Sequence, residues 1–381
     1  MDMFSIFTGL IGGLGLFLYG MKLMGDGLEN AAGDKLKSIL EKLTSNKYIG
    51  VLVGAAVTCI IQSSSATTVM VVSFVNAGLM SLAQAAGVIM GANIGTTITA
   101  QMVAFDLDAI APLVIGIGAI LMLMAKTKKA RDFASIAVGF GILFMGMDLM
   151  GSSMSPIAKS DWFKEFILVV SDNRILGLLT GLGLTAIVQS SSATTGILIA
   201  LATTGQIDMR LALPVILGCN IGTCVTALLS SLGANRTAKK AAIIHLFFNV
   251  MGSIIFFPFI DPFIGLVEST SLDVPRQVAN AHTIFNITVT LILLPLSGYL
   301  VKLANLILPG NGEIDKQGAI YLDKRLLETP VVANGQVIKE TIRMANKAKE
   351  NVSLAMKAFM ENDPEAINKV YNNENTINII E

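Results

Sequence analysis

A seven-residue stretch occurs twice in this chain, each time inside a long apolar run. Gln62-Ser63-Ser64-Ser65-Ala66-Thr67-Thr68 returns letter for letter as Gln189-Ser190-Ser191-Ser192-Ala193-Thr194-Thr195, 127 positions later. In hydrocarbon an unpartnered amide or hydroxyl costs about 4 to 8 kcal/mol, so a Gln followed by three Ser must find partners there. Those partners are each other, water or a polar ligand. The pattern points to a polar site inside a membrane.

Composition places the chain in the same class. Of its 381 residues, 53% are hydrophobic and 14% charged, with a mean hydropathy of +0.69, where a soluble chain carries about 25% charge. Several apolar windows of about 20 residues are long enough to cross the bilayer as helix. The short alternating segments of a membrane β-barrel are missing. The 27 basic and 27 acidic residues cancel, which leaves no nucleic-acid footprint. Cys59, Cys219 and Cys224 lie in apolar segments, and an odd count without Cys/His ligand spacing argues against a disulfide framework or a zinc site. The start, Met1-Asp2-Met3-Phe4, lacks the basic n-region of a signal peptide, so the first apolar segment is expected to be a retained span.

Taken in order, residues 4 to 24 read as a glycine-rich span, and Gly25 to Lys47 as a polar loop with an interfacial helix. Residues 48 to 75 are apolar on both sides of Gln62 to Ser65, and each half is too short to span alone. A re-entrant hairpin with the motif at its tip fits these lengths, and one long helix broken in the middle remains the alternative. Spans follow at about Leu82 to Phe105 and 109 to 125, separated by a turn at Asp106 and Asp108.

The pattern then restarts. Gly20-Met21-Lys22-Leu23-Met24-Gly25 returns as Gly146-Met147-Asp148-Leu149-Met150-Gly151, at an offset of 126. Gly91-Ala92-Asn93-Ile94-Gly95-Thr96 returns as Gly218-Cys219-Asn220-Ile221-Gly222-Thr223, 127 positions on like the motif. The second unit reads as a span at 133 to 151, a mixed-charge loop holding Trp162, a hairpin at 174 to 203, and spans at 211 to 232 and 241 to 260. A further span is expected at 280 to 305. Three spans and a hairpin make an odd number of crossings, so consecutive units are expected to be inverted.

Basic residues give an independent reading of topology. With the N-terminus outside, the inner loops hold Lys35, Lys37, Lys42, Lys47, Lys126, Lys128, Lys129, Arg131, Arg236, Lys239 and Lys240. The outer loops hold Lys159, Lys164, Arg174 and Arg276. This asymmetry favours N-terminus out and C-terminus in. The expected organisation is a first transmembrane repeat over 1–125, a second repeat with an extra span over 126–306, and a cytoplasmic helical segment over 307–381. Its amphipathic pattern includes Ile338, Ile342, Met344, Val352 and Met356, and a disordered tail is the alternative.

The fold class is thus an all-α polytopic membrane protein of two inverted-topology repeats, each with a re-entrant helical hairpin, followed by a cytoplasmic helical tail. Two Gln-Ser-Ser-Ser tips entering from opposite faces would meet near the midplane. Hydroxyls, carboxamides and the N-terminal ends of the following half-helices suit a tetrahedral oxyanion, while hydroxyl and carbonyl oxygens suit sodium. Asn93 with Thr96, and Asn220 with Thr223, add a symmetric amide and hydroxyl pair that supports sodium or packs helices through the adjacent glycines. His245 and Asn249, and His282 and Asn286, form an H-x-x-F-N echo, read as interhelical hydrogen bonding or as part of the transport path. No HExxH, Walker A or GxSxG arrangement with an acid and base is present, so the chain does not read as an enzyme or a primary pump.

Doubled QSSSATT followed by GANIGT-like segments resembles the bacterial form of the type II sodium-dependent phosphate cotransporter family, over residues 1 to 305. The resemblance implies a secondary transporter importing inorganic phosphate by alternating access, with sodium ions as co-substrate and no other cofactor. It implies phosphate binding by Gln62, Ser63, Ser64, Ser65, Gln189, Ser190, Ser191 and Ser192. Sodium is expected at Gln62, Ser65, Thr68, Asn93, Thr96, Gln189, Ser192, Thr195, Asn220 and Thr223. Residues 320 to 381 resemble the beginning of a PhoU-like domain. The expected setting is the cell inner (plasma) membrane and its lipid bilayer, and glycine-rich spans are compatible with a homodimer. A non-transporting sensor or scaffold, and a sodium-coupled carrier of another oxyanion such as sulfate, are the alternatives.

Overall fold

The structure is a computed structural model that describes residues 3–41, 46–105, 107, 109–205, 207–310, 319–328 and 330–381. Among these residues the regular structure is helical throughout. Lys42, Asp106 and Asp108 lie outside the described residues, as do the side chains of Lys35, Lys37, Trp162 and Lys164.

The first unit consists of α1 (Met3–Glu41), α2 (Lys47–Ile61), α3 (Ser64–Asn76), α4 (Leu82–Val103) and α5 (Ala111–Met124). The second consists of α6 (Lys128–Ala158), α7 (Asp161–Asp172), α8 (Arg174–Val188), α9 (Ser191–Ala202), α10 (Met209–Gly222), α11 (Cys224–Ser230) and α12 (Arg236–Phe256). After them come α13 (Ile260–Glu268), α14 (Val274–Leu293), α15 (Ser297–Ile307), α16 (Pro330–Glu361) and α17 (Pro364–Ile380). Helices α2 and α8 begin and end on residues 127 apart, and α4 is matched at the same offset by α10 and α11 together.

The two helices of each hairpin are set by local chemistry. Asn46 and Asn173 cap α2 and α8 by accepting from the two backbone N–H groups that follow. Both helices end on a glutamine in the left-handed region, Gln62 at φ 59° and Gln189 at φ 57°. Ser63 and Ser190 then restart the chain as N-caps of α3 and α9. The hydroxyls of Thr58 and Thr67 meet at 2.9 Å, and those of Thr185 and Thr194 at 3.0 Å. Nine residues of straight helix would separate such a pair by about 13 Å, so the chain folds back at each motif instead of continuing as one broken rod.

Glycines let the hairpins sit directly against the following helix. A Cβ on Gly91 would lie 2.0 Å from the Val51 carbonyl, and one on Gly218 would lie 1.9 Å from the Leu178 carbonyl. Backbone therefore packs on backbone between α2 and α4, and between α8 and α10. The same device joins the two units, where Gly20 of α1 faces Gly139 of α6.

By length and composition Phe4–Ala32, Lys128–Ala158, Met209–Ser230 and Arg236–Glu268 can each cross a membrane, and the bent pair Val274–Leu293 and Ser297–Ile307 makes a fifth. Helix α4 has the length, but its Asn93, Thr96, Thr97 and Thr99 are turned into the protein and lower its hydropathy. Large apolar side chains such as Phe7, Leu123 and Ile187 are exposed, as a lipid-facing surface requires.

Several expectations need correction. Helix α1 does not end at residue 24 but runs on to Glu41, in place of a loop with a separate interfacial helix. The loop expected after residue 151 is the end of α6 followed by helix α7. The last span is not one rod, because α14 and α15 meet at 80°. Proline at 295 removes a backbone donor there, and the Lys47 ammonium donates to the Leu294 and Pro295 carbonyls at 3.0 and 3.3 Å. Lys240 is not in a loop. It is 1% exposed within α12 and donates to the Gly310 carbonyl at 2.6 Å.

Candidate functional site

The two motif tips come together. Ser65 Oγ, from the first, lies 3.5 Å from the Gln189 carbonyl of the second. Each tip presents the N-terminal end of a helix, α3 or α9, whose first N–H groups have no partner within the helix and carry its positive dipole end. Ser64, Ser191 and Ser192 are buried there, while Ser63, Ser65 and Ser190 are half-buried. The serine hydroxyls at Ser63 and Ser190 are already used as caps, accepting from Ala66 and Ala193 N–H at 3.1 and 3.2 Å.

The left-handed glutamines carry information of their own. Positive φ at a non-glycine residue costs on the order of 1 to 3 kcal/mol and persists where the surroundings over-determine it. Glycine would fit the same turn without that cost. The side chain at this position therefore has a use that the turn itself does not explain.

In the first unit that use is visible. Gln62 is buried, its Nε2 donates to the Cys59 carbonyl at 2.5 Å, and its Oε1 accepts from the Thr99 hydroxyl at 2.8 Å. In the second unit Gln189 is exposed, and its carboxamide has no partner among the described residues. Thr226, which stands to Gln189 as Thr99 stands to Gln62, has a buried hydroxyl with no partner. Identical sequence thus adopts two different side-chain arrangements. A cavity of about 410 Å³ opens beside Gln62, lined by Cys59, Ile98, Met102 and Phe133 among others.

Thr68 and Thr195 are fully buried, and their hydroxyl oxygens are unpartnered. An unsatisfied buried polar group costs about 1 to 3 kcal/mol, and the two hairpins carry this cost at matching positions. No carboxylate, Lys or Arg is found in either motif or in the turns they form. Any anion here would be held by hydroxyls, amides and helix ends, and any cation by neutral oxygens.

Asn93, Thr96, Asn220 and Thr223 are buried, but their side chains return to their own helices. Asn93 donates to Ile89 O at 2.9 Å and Thr96 to Ala92 O at 3.0 Å, while Asn220 donates to Ile216 O and Thr223 to Cys219 O. Asn220 Oδ1 also pairs with His282 Nε2 at 3.3 Å. None of the four bonds to a motif tip. The hydroxyls that do serve the hairpins are Thr58, Thr67, Thr185, Thr194 and Thr99. Their signal in the sequence was the shared offset of 127, which covers each of them as well as the motifs.

The model of the Na+/Pi-cotransporter family matches this chain twice, at residues 16–152 and 146–260. The chain is 33% identical over 293 residues to protein YqeW of Bacillus subtilis (strain 168), covering 77% of this chain and 95% of that one. It is 28% identical over 356 residues to "Putative inorganic phosphate export protein YjbB" of Salmonella typhimurium (strain LT2), covering 93% of this chain. This chain spans 65% of the length of that relative. Sodium-dependent phosphate transport protein 2C of Mus musculus is 35% identical over 141 residues, 34% of this chain and 22% of the mouse protein. No solved structure matches the chain. With both matches of the family model spanning the duplicated units, this chain belongs to the Na+/Pi-cotransporter family.

Proposed function

We propose that this protein is a sodium-coupled secondary transporter that moves inorganic phosphate across the cell membrane by alternating access, not an enzyme. The observation that carries the proposal is the meeting of the two motif tips at Ser65 and Gln189, with the orphaned hydroxyls of Thr68 and Thr195 beside them. In this reading phosphate lies between the N-terminal ends of α3 and α9, held by their backbone N–H groups, the serines of 63–65 and 190–192, and the free Gln189 carboxamide. Sodium takes oxygens from the set Gln62, Ser65, Thr68, Asn93, Thr96, Gln189, Ser192, Thr195, Asn220 and Thr223, with the unpartnered Thr68 and Thr195 hydroxyls foremost. Anion and cation then offset each other's charge where water is scarce.

The proposal includes inverted repeats over 1–125 and 126–306 in the plasma membrane, with the N-terminus outside. It also places 307–381 in the cytoplasm as the beginning of a PhoU-like helical domain. The loop charges support that orientation, and the Lys240 and Arg236 bonds to the 309–310 carbonyls support α12 beginning on the same side as the helical segment.

Direction is the finer question. An inward sodium gradient favours import, while the name of the Salmonella relative favours export. Both fit one reversible carrier, since coupling sets the ratio of fluxes and the gradients set the sign. Proteoliposomes loaded with phosphate on either side and given a sodium gradient in either direction test both. Phosphate movement that follows the sodium gradient is expected. Flux indifferent to sodium, or no flux, overturns the proposal.

A further inference from the structure

The H-x-x-F-N echo extends further than two residues. On α12, His245, Asn249 and Ser253 stand four residues apart, and on α14 His282, Asn286 and Thr290 repeat the same spacing. Each set lies on one helix face. All six are between 0% and 3% exposed. Both stripes turn toward the junction of α10 and α11. His282 Nε2 pairs with Asn220 at 3.3 Å, and Asn249 Nδ2 lies 3.3 Å from the Cys224 sulfur, one turn further on.

The hydrogen-bond inventory here does not close. Asn249 and Asn286 each use an amide hydrogen on the His245 and His282 carbonyls, at 3.1 and 2.8 Å, and both Oδ1 atoms are bare. Both ring nitrogens of His245, Nδ1 of His282 and Oγ1 of Thr290 are also buried without partners. Because His282 Nε2 faces an amide oxygen, it carries the hydrogen, and its Nδ1 presents a lone pair. The unpartnered lone pairs are then those of two amide oxygens, His282 Nδ1 and one nitrogen of His245, in addition to the Thr290 oxygen. Among the described residues the unused donors are one N–H of His245, the Thr290 hydroxyl and the second amide hydrogen of Asn286, so acceptors still outnumber donors. Phe248 and Phe285, both fully buried, sit between the polar residues of each stripe.

Such a surplus of acceptors repels an anion and attracts a cation. No carboxylate belongs to the cluster, which disfavours a divalent ion, and a single proton would satisfy one lone pair and leave the rest. We propose that α10, α12 and α14 enclose a second cation chamber, in which Asn249 Oδ1, Asn286 Oδ1 and Thr290 Oγ1 coordinate one partly hydrated sodium ion. The water on the ion donates to the histidine nitrogens. The chamber is built on helices outside the two hairpins, so it is independent of the site proposed for phosphate.

Radiolabelled sodium binding to the purified, phosphate-free protein tests the chamber. Asn249→Leu and Asn286→Leu should each remove one bound sodium per chain, whereas Gln62→Ala and Gln189→Ala should leave that sodium in place. Thr290→Val keeps the shape and should raise the sodium Kd at least tenfold. It should also abolish part of the rise in Tm that sodium gives over choline, while leaving Tm in choline unchanged or higher. Unchanged sodium binding in the Asn and Thr290 variants means that the cluster holds water only and overturns the chamber. Loss of all bound sodium in the glutamine variants overturns it as well. Should phosphate flux prove indifferent to sodium while these residues still bind it, the transport proposal fails and the chamber stands.

Discussion

The Thr99 hydroxyl donates to the Gln62 carboxamide at 2.8 Å, while Thr226, placed identically after Gln189, keeps its hydroxyl buried and unpartnered. One sequence written twice has settled into one closed and one open pair. Replacing each threonine by valine should therefore have unequal effects. Thr99→Val leaves a buried amide oxygen without its donor and should destabilise by about 1 to 3 kcal/mol. Thr226→Val removes a hydroxyl that bonds to nothing and should be neutral or slightly stabilising. Thermal unfolding in sodium-free detergent solution measures both, and equal losses would contradict the asymmetry.

The left-handed turn at Gln62 separates backbone from side chain. Gln62→Gly relieves the positive φ and should be more stable than Gln62→Ala by on the order of 1 kcal/mol. Both variants lose the bonds to Thr99 and Cys59, so both should lose phosphate flux despite folding. A glycine variant that transports normally would assign the glutamine a purely conformational role.

Close backbone packing sets a steep size limit at two glycines. A methyl at Gly91 or Gly218 would fall about 2 Å from a carbonyl oxygen of the neighbouring helix, so alanine there should cost about 1 to 3 kcal/mol or prevent folding. Gly116 has open space where its Cβ would lie, and Gly116→Ala should be neutral or stabilising by up to about 1 kcal/mol. Folded yield by size-exclusion chromatography separates the two classes.

Acid should release the segment that follows the membrane helices. Burial by itself would raise the Asp323 carboxyl, but the hydrogen bonds and charge of Arg325 outweigh it and hold the group below its usual 3.8. Arg325 in turn donates to the Ser230 carbonyl at 3.0 Å, and Leu326 is buried in a cluster with Met70 and Phe74. A depressed carboxyl stabilises fully at neutral pH and loses its contribution as pH falls through the folded-state value, below 3.8. Hydrogen exchange over residues 319–328 should accelerate in that range, and Asp323→Asn should accelerate it already at pH 7. A flat exchange profile down to pH 3 would show that the ion pair does not hold the segment.

The sequence alone was enough for the class of protein and for the two breaks at the repeated motifs. Apolar windows with almost no charge admit only a membrane helix protein, because backbone groups in lipid must be satisfied within their own segment. The breaks at Gln62 and Gln189 were equally legible, since serine caps and flanking half-length helices are local signals. The continuation of α1 to Glu41 and the bend after Leu293 were not legible. The first rests, as far as Gly27, on packing against Asp132 and Ile136 of α6, and at the second Lys47 reaches the bend from 247 residues away in sequence.

What the tertiary structure alone decided is which identical residues behave differently. Gln62 and Gln189 share every neighbour within three positions downstream, and local propensity assigns them the same turn. Whether the carboxamide turns in to a threonine, as at Gln62, or stays exposed, as at Gln189, depends on helices arriving from elsewhere in the chain. The same holds for Asn220, whose partner is His282 on α14 instead of a motif tip. Repetition in the sequence determined where the polar groups would stand, and long-range packing determined which of them are left with bonds to make.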